Sequence, residues 1–204
     1  MTASEPRFPR GRSGPTIRAL SENEARERLA KLMVAYQGGD ESAFESLYGE
    51  LAGPVRAFLA SLTRNAARAD DLLQETFFHV HRARHTYDPG RSAKAWVYAI
   101  AHNVFLMACR TDRRRGRNEE LPTDELPDLP VPAEAESLAS RDLVSRALAT
   151  LPVDRREALL LHHVEGLSFQ EVGAVLGVTT MAARLRSHRA MGQLRALLAR
   201  EEER

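Results

Sequence analysis

In the segment "AKAWVYAIAHNVFLMACRTDRRRGR", the side chains of Lys94, Tyr98, His102 and Phe105 recur at helical spacing and the segment ends in a block of arginines that includes Arg110 and Arg113. Aromatic faces stack on unpaired bases and flanking cations follow the phosphates, so this set has the chemistry of single-strand capture. Trp96, Val97, Ile100, Ala101, Val104 and Met107 form a second stripe, which we assign to the core. Periodicity leaves one alternative open, that Tyr98 and Phe105 pack beneath a neighbouring helix. The turn Asp88-Pro89-Gly90, followed by Arg91, could form a small pocket for an extruded base.

Other reactive residue types point nowhere in particular. His79, His81 and His85 are close in sequence, but only His81 and His85 share a helical face, and no nearby carboxylate or cysteine completes a metal site. We expect no metal and no cofactor. Cys109, the one cysteine, reads as a small hydrophobe, and a single cysteine excludes an internal disulfide. There is no P-loop, no paired acid–base constellation and no nucleophile motif, so an enzyme is not expected.

A second set of cations lies in "SFQEVGAVLGVTTMAARLRSHRAM". Ser168 can cap a short helix whose inward face is Val172, Val175 and Leu176, and Gly173 leaves room for a close crossing. Gly177 stands where that helix must turn, because glycine tolerates positive φ. Val178 plugs the turn, and Thr179 or Thr180 caps the next helix. That helix carries Arg184, Arg186, His188, Arg189 and Arg195. The layout is that of a helix-turn-helix, whose second helix enters the major groove.

A third surface has the opposite charge. "ADDLLQETFFHVHR" places Leu72, Leu73, Thr76, Phe77 and Val80 on one side of a helix, with Asp71, Gln74, Glu75 and Phe78 on the other. An acidic face with an exposed aromatic suits a basic protein partner better than DNA.

The elements that carry these sets are all helical. With 204 residues, 43% hydrophobic and 28% charged, the chain has the composition of a soluble globular protein of one or two small domains. The formal charge of +1 hides segregation: the arginines cluster in two places, and the charged residues from Glu119 to Glu136 are all carboxylates. Residues 1–22 read as a basic, Pro/Gly-rich disordered extension. Residues 23–117 hold four helical segments: the first with Leu29, Leu32, Met33 and Tyr36, the second capped by Asp40 and possessing the stripe Phe44, Leu47, Leu51, Val55, Phe58, Leu59 and Leu62. Pro54 could kink that second helix. Residues 118–137 are an acidic, proline-rich linker too poor in apolar surface to order itself. Residues 138–200 resume helical periodicity with Leu138, Leu143, Ala147, Leu148, Leu159, Leu160 and Val164. The fold class is all-α, two small helical domains on a flexible acidic tether. No apolar run spans a bilayer and no secretory h-region opens the chain, so a cytoplasmic location without membrane insertion is expected.

Two stretches carry a resemblance. "DDLLQETFFHVHRARHTYDPGRSAKAWVYAIAHNVF" resembles region 2 of bacterial extracytoplasmic-function (ECF) sigma factors of the sigma-70 family, and "LPVDRREALLLHHVEGLSFQEVGAVLGVTTMAARLRSHRAMGQL" resembles their region 4. The resemblance extends over nearly all of the chain from about Leu29. It implies that Asp71, Gln74, Glu75 and Phe78 dock on the clamp helices of core RNA polymerase. It also implies that Arg91, Lys94, Tyr98, His102, Asn103, Phe105, Arg110 and Arg113 belong to the surface that captures and melts the −10 element as a single strand. The helix from Thr180, with Arg184, Arg186, His188 and Arg189, would read the duplex −35 element, and the linker would lie in the polymerase RNA path. An anti-sigma factor is the expected inhibitor, since both binding faces would otherwise stay available. The sequence departs from the family pattern at three positions. Ala182 replaces a threonine, His102 stands where arginine is usual, and Ser187 occupies a site that normally buries leucine, a loss of roughly 1–3 kcal/mol on burial arguments. Two rival readings are a conventional helix-turn-helix regulator, which leaves the Asp71–Phe78 and Tyr98–Phe105 stripes unexplained, and a sigma-like mimic that titrates an anti-sigma factor, which the retained arginines disfavour.

Overall fold

The structure is a computed structural model that describes residues 17–114, 116 and 138–202, with side chains over 23–114, 116 and 144–199. Every described element is helical, as the periodicity demands. Helix α1 spans Ile17–Gln37, so the last residues of the expected extension already belong to a helix, while the rest of it and the linker 118–137 lie outside the described residues. Helices α2 (Glu41–Thr63), α3 (Ala66–Ala83) and α4 (Ala93–Arg114) complete the first domain. Helices α5 (Leu138–Thr150), α6 (Val153–Leu159), α7 (Phe169–Leu176) and α8 (Thr180–Glu202) form the second.

Local chemistry sets the boundaries. Asp40 is extended, and its carboxylate accepts from the backbone N–H groups of Ser42 and Ala43, two donors left orphaned at the start of α2. Asn65 does the same for α3 by accepting from Arg68 N–H. Helix α2 continues through Pro54 and ends at Arg64, which takes the left-handed conformation with φ 54°. In α2, Leu47, Leu51, Val55, Phe58, Leu59 and Leu62 are all buried, and they meet Leu72, Leu73, Phe77 and Val80 of α3 and Met33 and Tyr36 of α1 in one core.

Beyond α6, the helix widens into a π-helical turn over Leu160–Val164. The wider turn shifts the stripe, and Val164, which continues the apolar periodicity in the sequence, points outward at 45% exposure. Leu159, Leu160 and Leu161 stay buried.

The two domains share that core. Arg156 of α6 reaches across to α2: its guanidinium donates to the Ser61 carbonyl, and also to the carbonyls of Ala149 and Leu151 at 3.1 and 2.9 Å. Ser61 lies in the last turn of α2, where carbonyls lack intrahelical partners and the helix dipole favours a cation. Burial of this guanidinium, with Arg64 nearby and Glu157 opposing, lowers its pKa to about 10.

Candidate nucleic-acid interface

The helix-turn-helix forms as its residue types require. Ser168 Oγ accepts from Glu171 N–H at 3.3 Å while the Glu171 carboxylate accepts from Ser168 N–H at 2.7 Å, a reciprocal capping box. At Gly173 a Cβ atom would lie 2.8 Å from the Val178 carbonyl oxygen, so only glycine lets the turn close over α7. Gly177 ends α7 at φ 66°. Thr179, of the two candidate caps, accepts from Ala182 N–H at 3.2 Å. Ala183, Ser187 and Ala190 face inward from α8, whereas Thr180, Arg184, His188 and Arg189 are exposed and Arg186 is half-buried. Arg184 is held over the Phe169 ring, 5.4 Å from its centroid, and Phe169 stacks on His162 at 3.8 Å. Arg186 lies 3.6 Å from Asp154. The structure therefore brings the predicted cations together along one helix.

The acidic face of α3 is also as expected. Asp71, Gln74, Glu75 and Phe78 are exposed, with Leu72, Leu73, Thr76, Phe77 and Val80 buried beneath them. Phe78 is 57% exposed, and the Arg82 guanidinium lies 5.7 Å from its ring centroid.

Helix α4 corrects the sequence reading. Tyr98, His102 and Phe105, expected on an outward aromatic face, are buried at 0%, 6% and 8% exposure. Met107, assigned to the core, is 51% exposed, and Trp96 and Ile100 are only partly buried. The reason is packing from both domains. Tyr98 packs edge-on against Phe58 of α2, and His102 Nε2 lies 3.4 Å from Glu157 Oε1 of α6. Lys94 Nζ donates to the Glu165 carbonyl at 2.8 Å and sits 2.9 Å from the Glu165 carboxylate. Burial, together with the charge of Glu165, holds the Tyr98 phenol well above its ordinary pKa. A further contact at the edge joins Arg26 of α1 to the Gly166 carbonyl and the Glu171 carboxylate, each at 3.1 Å.

What α4 does present to solvent is a different stripe: Asn103, Met107, Arg110 and the arginine pair Arg113 and Arg114, all exposed. The signal for it lies in the sequence, since these residues continue from Trp96 at helical intervals, but Trp96 and Met107 are apolar and their types alone argue for an inward face. The turn ahead of α4 is firmly built. Gly90 N–H donates to Asp88 Oδ1 at 2.9 Å, the Tyr87 hydroxyl donates to the Arg91 carbonyl at 2.8 Å, and Gln37 donates to the carbonyls of Arg84 and Tyr87 at 2.7 and 2.9 Å. Beside it a cleft of about 560 Å³ lies between Gly90, Arg91, Ser92, Ala95, Trp96 and Ala99 on one wall and Ser168, Gln170, Glu171, Ala174 and Val175 on the other. The cleft beside the Pro-Gly turn is thus shared by both domains.

Two of the three clustered histidines have structural partners. His81 Nδ1 is 2.6 Å from the Tyr36 hydroxyl, and His79 Nε2 is 3.8 Å from the Glu75 carboxylate. Cys109 is half-buried, and burial pushes its thiol pKa up, away from reactivity.

Comparison with known proteins agrees with this geometry. Residues 47–115 match the Sigma-70 region 2 family and residues 141–194 match Sigma-70, region 4. The chain is 39% identical over 170 residues to the RNA polymerase sigma factor CarQ of Myxococcus xanthus, covering 83% of this chain and 97% of that one. It is 32% identical over 183 residues to the ECF RNA polymerase sigma factor SigF of Caulobacter vibrioides, covering 86% and 96%. Among solved structures it is similar to the sigma factor RpoE in complex with the anti-sigma factor NepR from Bartonella quintana, with a TM-score of 0.64 and 28% identity over 76% of this chain and 96% of that one. CnrH in complex with the cytosolic domain of CnrY shares the fold, with a TM-score of 0.61 at 24% identity over 84% and 97%. Two helical domains in this order, one with an exposed acidic face and one with a basic helix-turn-helix, matched over most of their length by such relatives, place this chain in the sigma-70 family, among the ECF RNA polymerase sigma factors.

Proposed function

We propose that this protein binds core RNA polymerase and directs it to promoters by recognising a −35 and a −10 element, then holding the −10 strand open. The observation that carries this is the pairing, within one chain, of the acidic face Asp71, Gln74, Glu75 and Phe78 with the exposed cations of α8. A stand-alone helix-turn-helix regulator has no use for the first, and a mimic has no use for the second. Chemistry belongs to polymerase, and the protein is not an enzyme. It acts on DNA in the cytoplasm, and no described helix is long and apolar enough to cross a membrane.

The roles divide by charge. Asp71 and Glu75 attract a basic helical partner on polymerase, and Phe78 adds apolar area at the centre of that contact. Thr180, Arg184, Arg186, His188 and Arg189 bind the duplex −35 element, the cations neutralising phosphates. Arg91, Asn103, Arg110 and Arg113 are available to the −10 strand as the structure stands. Lys94 and His102 face Glu165 and Glu157 of the second domain, while Tyr98 is buried against Phe58 of α2 and Phe105 is buried too, so their use in strand capture requires α4 to part from its neighbours. The arrangement seen here is the closed one, and an anti-sigma partner would act by covering or holding these same faces.

Run-off transcription with purified core polymerase on a genomic library tests the reading, followed by mapping of the start sites. Discrete starts that share two upstream elements are the expected result. Truncating Arg184 or Arg189 should weaken promoter binding and flatten its salt dependence. Transcription that is no more frequent than with core polymerase alone would overturn the reading.

A further inference from the structure

On α8 the helical angle of about 100° per residue puts Met181 and Leu185 at the centre of the outward face, opposite the buried Ala183, Ser187 and Ala190. They are 69% and 45% exposed. Arg184 and Arg186 fall on the two edges of that face, one drawn over Phe169 and the other toward Asp154. His188 stands beside the pair, one turn further on. Two neighbouring large apolar side chains in the middle of a cationic, solvent-facing helix are a costly surface in water, which marks them as a contact.

The arrangement matches a major groove in cross-section. Cations at the edges of a docked helix meet the phosphate walls, while the centre of its face meets the base edges on the groove floor. The hydrocarbon on that floor is the C5 methyl of thymine. We propose that Met181 and Leu185 are specificity-determining residues that read thymine methyl groups in the −35 element, in place of hydrogen-bonding readers at the centre of the helix. Resting on the assignment of α8 as the duplex-reading helix, the proposal goes beyond it by naming what the helix reads and with which side chains.

The test replaces the methyl group and leaves the protein intact. Holoenzyme reconstituted with core polymerase selects its −35 duplex from a pool randomised over that element. The selected duplex is then made with deoxyuridine in place of each thymidine, which removes only the methyl. The wild type should bind the deoxyuridine duplex roughly four-fold more weakly for each methyl contacted, the free energy of one buried CH₂-sized group. The double variant Met181→Ala, Leu185→Ala should bind both duplexes equally, at about the level of the wild type on deoxyuridine. Both side chains are exposed, so the variant keeps its fold, which circular dichroism checks. Equal wild-type affinity for the two duplexes overturns the proposal and assigns the pair to a protein partner. The variant Arg184→Ala, Arg189→Ala separates the two levels: if it loses duplex binding while deoxyuridine has no effect, only the apolar readout is wrong. If it too binds normally, α8 is not the duplex-reading helix.

Discussion

The imidazole of His102 and the carboxylate of Glu157 lie 3.4 Å apart, with side chains only 7% and 6% exposed, and they join α4 of the first domain to α6 of the second. With Lys94–Glu165 at 2.9 Å, this makes two polar side-chain contacts inside the seam between α4 and the second domain. Removing one partner of a buried polar contact costs about 1–3 kcal/mol, because the remaining group stays desolvated without its partner. Glu157→Ala with Glu165→Ala should therefore loosen the seam without disturbing either core. Energy transfer between labels on α2 and α8 should fall, and affinity of the free protein for a single-stranded −10 oligonucleotide should rise. Unchanged transfer efficiency in the double variant would mean that apolar packing alone holds the domains.

Charge reversal on α3 should separate docking from folding. Asp71 and Glu75 are exposed, and Glu75 pairs with the half-buried His79 on the same helix, so Asp71→Lys with Glu75→Lys should leave the melting temperature within a few degrees. Polymerase binding should weaken at least ten-fold, from lost attraction and added repulsion. A co-sedimentation assay with core polymerase decides it, and wild-type affinity in the reversed variant would move the docking face elsewhere.

Ser187 is 1% exposed, and its hydroxyl has no hydrogen-bond partner among the described residues. An unsatisfied buried hydroxyl is a net cost, and alanine is the better helix former. Ser187→Ala should thus stabilise the second domain by about 1 kcal/mol. A rise in melting temperature of a few degrees is the expected reading. A fall would show that the hydroxyl is satisfied in solution.

Glu171 supplies a pH dependence with a definite sign. Burial alone would raise its pKa, but the hydrogen bonds from Ser168 and the charge of Arg26 outweigh it and hold the carboxyl below its ordinary 4.5. A depressed carboxyl stabilises the fold at pH above its unfolded value and loses that contribution as pH falls through the folded value. Glu171→Ala should cost about 1 kcal/mol at pH 7, on the scale of a lost helix cap. The gap between variant and wild type should be full at neutral pH and close as pH falls through the depressed folded value, below the ordinary carboxyl range. Chemical denaturation at both pH values measures it, and a gap independent of pH would assign the contribution to packing.

Much of this molecule was legible in one dimension because the physics involved is local. The capping box at Ser168 and Glu171, the left-handed turn at Gly177 and the buried stripe of α3 each depend on residues within a few positions of one another, so spacing alone settles them. The face of α4 is another matter. Apolar residues surround that helix, with Trp96, Val97, Tyr98, Ile100 and Met107 pointing in several directions, and periodicity cannot choose between stripes when more than one is apolar. Neighbours made the choice: Phe58 meets Tyr98 from 40 residues upstream in sequence, and Glu157 and Glu165 arrive from beyond the linker. Arg156 reaching the Ser61 carbonyl across 95 residues belongs to the same class, a contact with no local signature at either end. What a helix buries is fixed by what packs on it, and only the tertiary structure contains that.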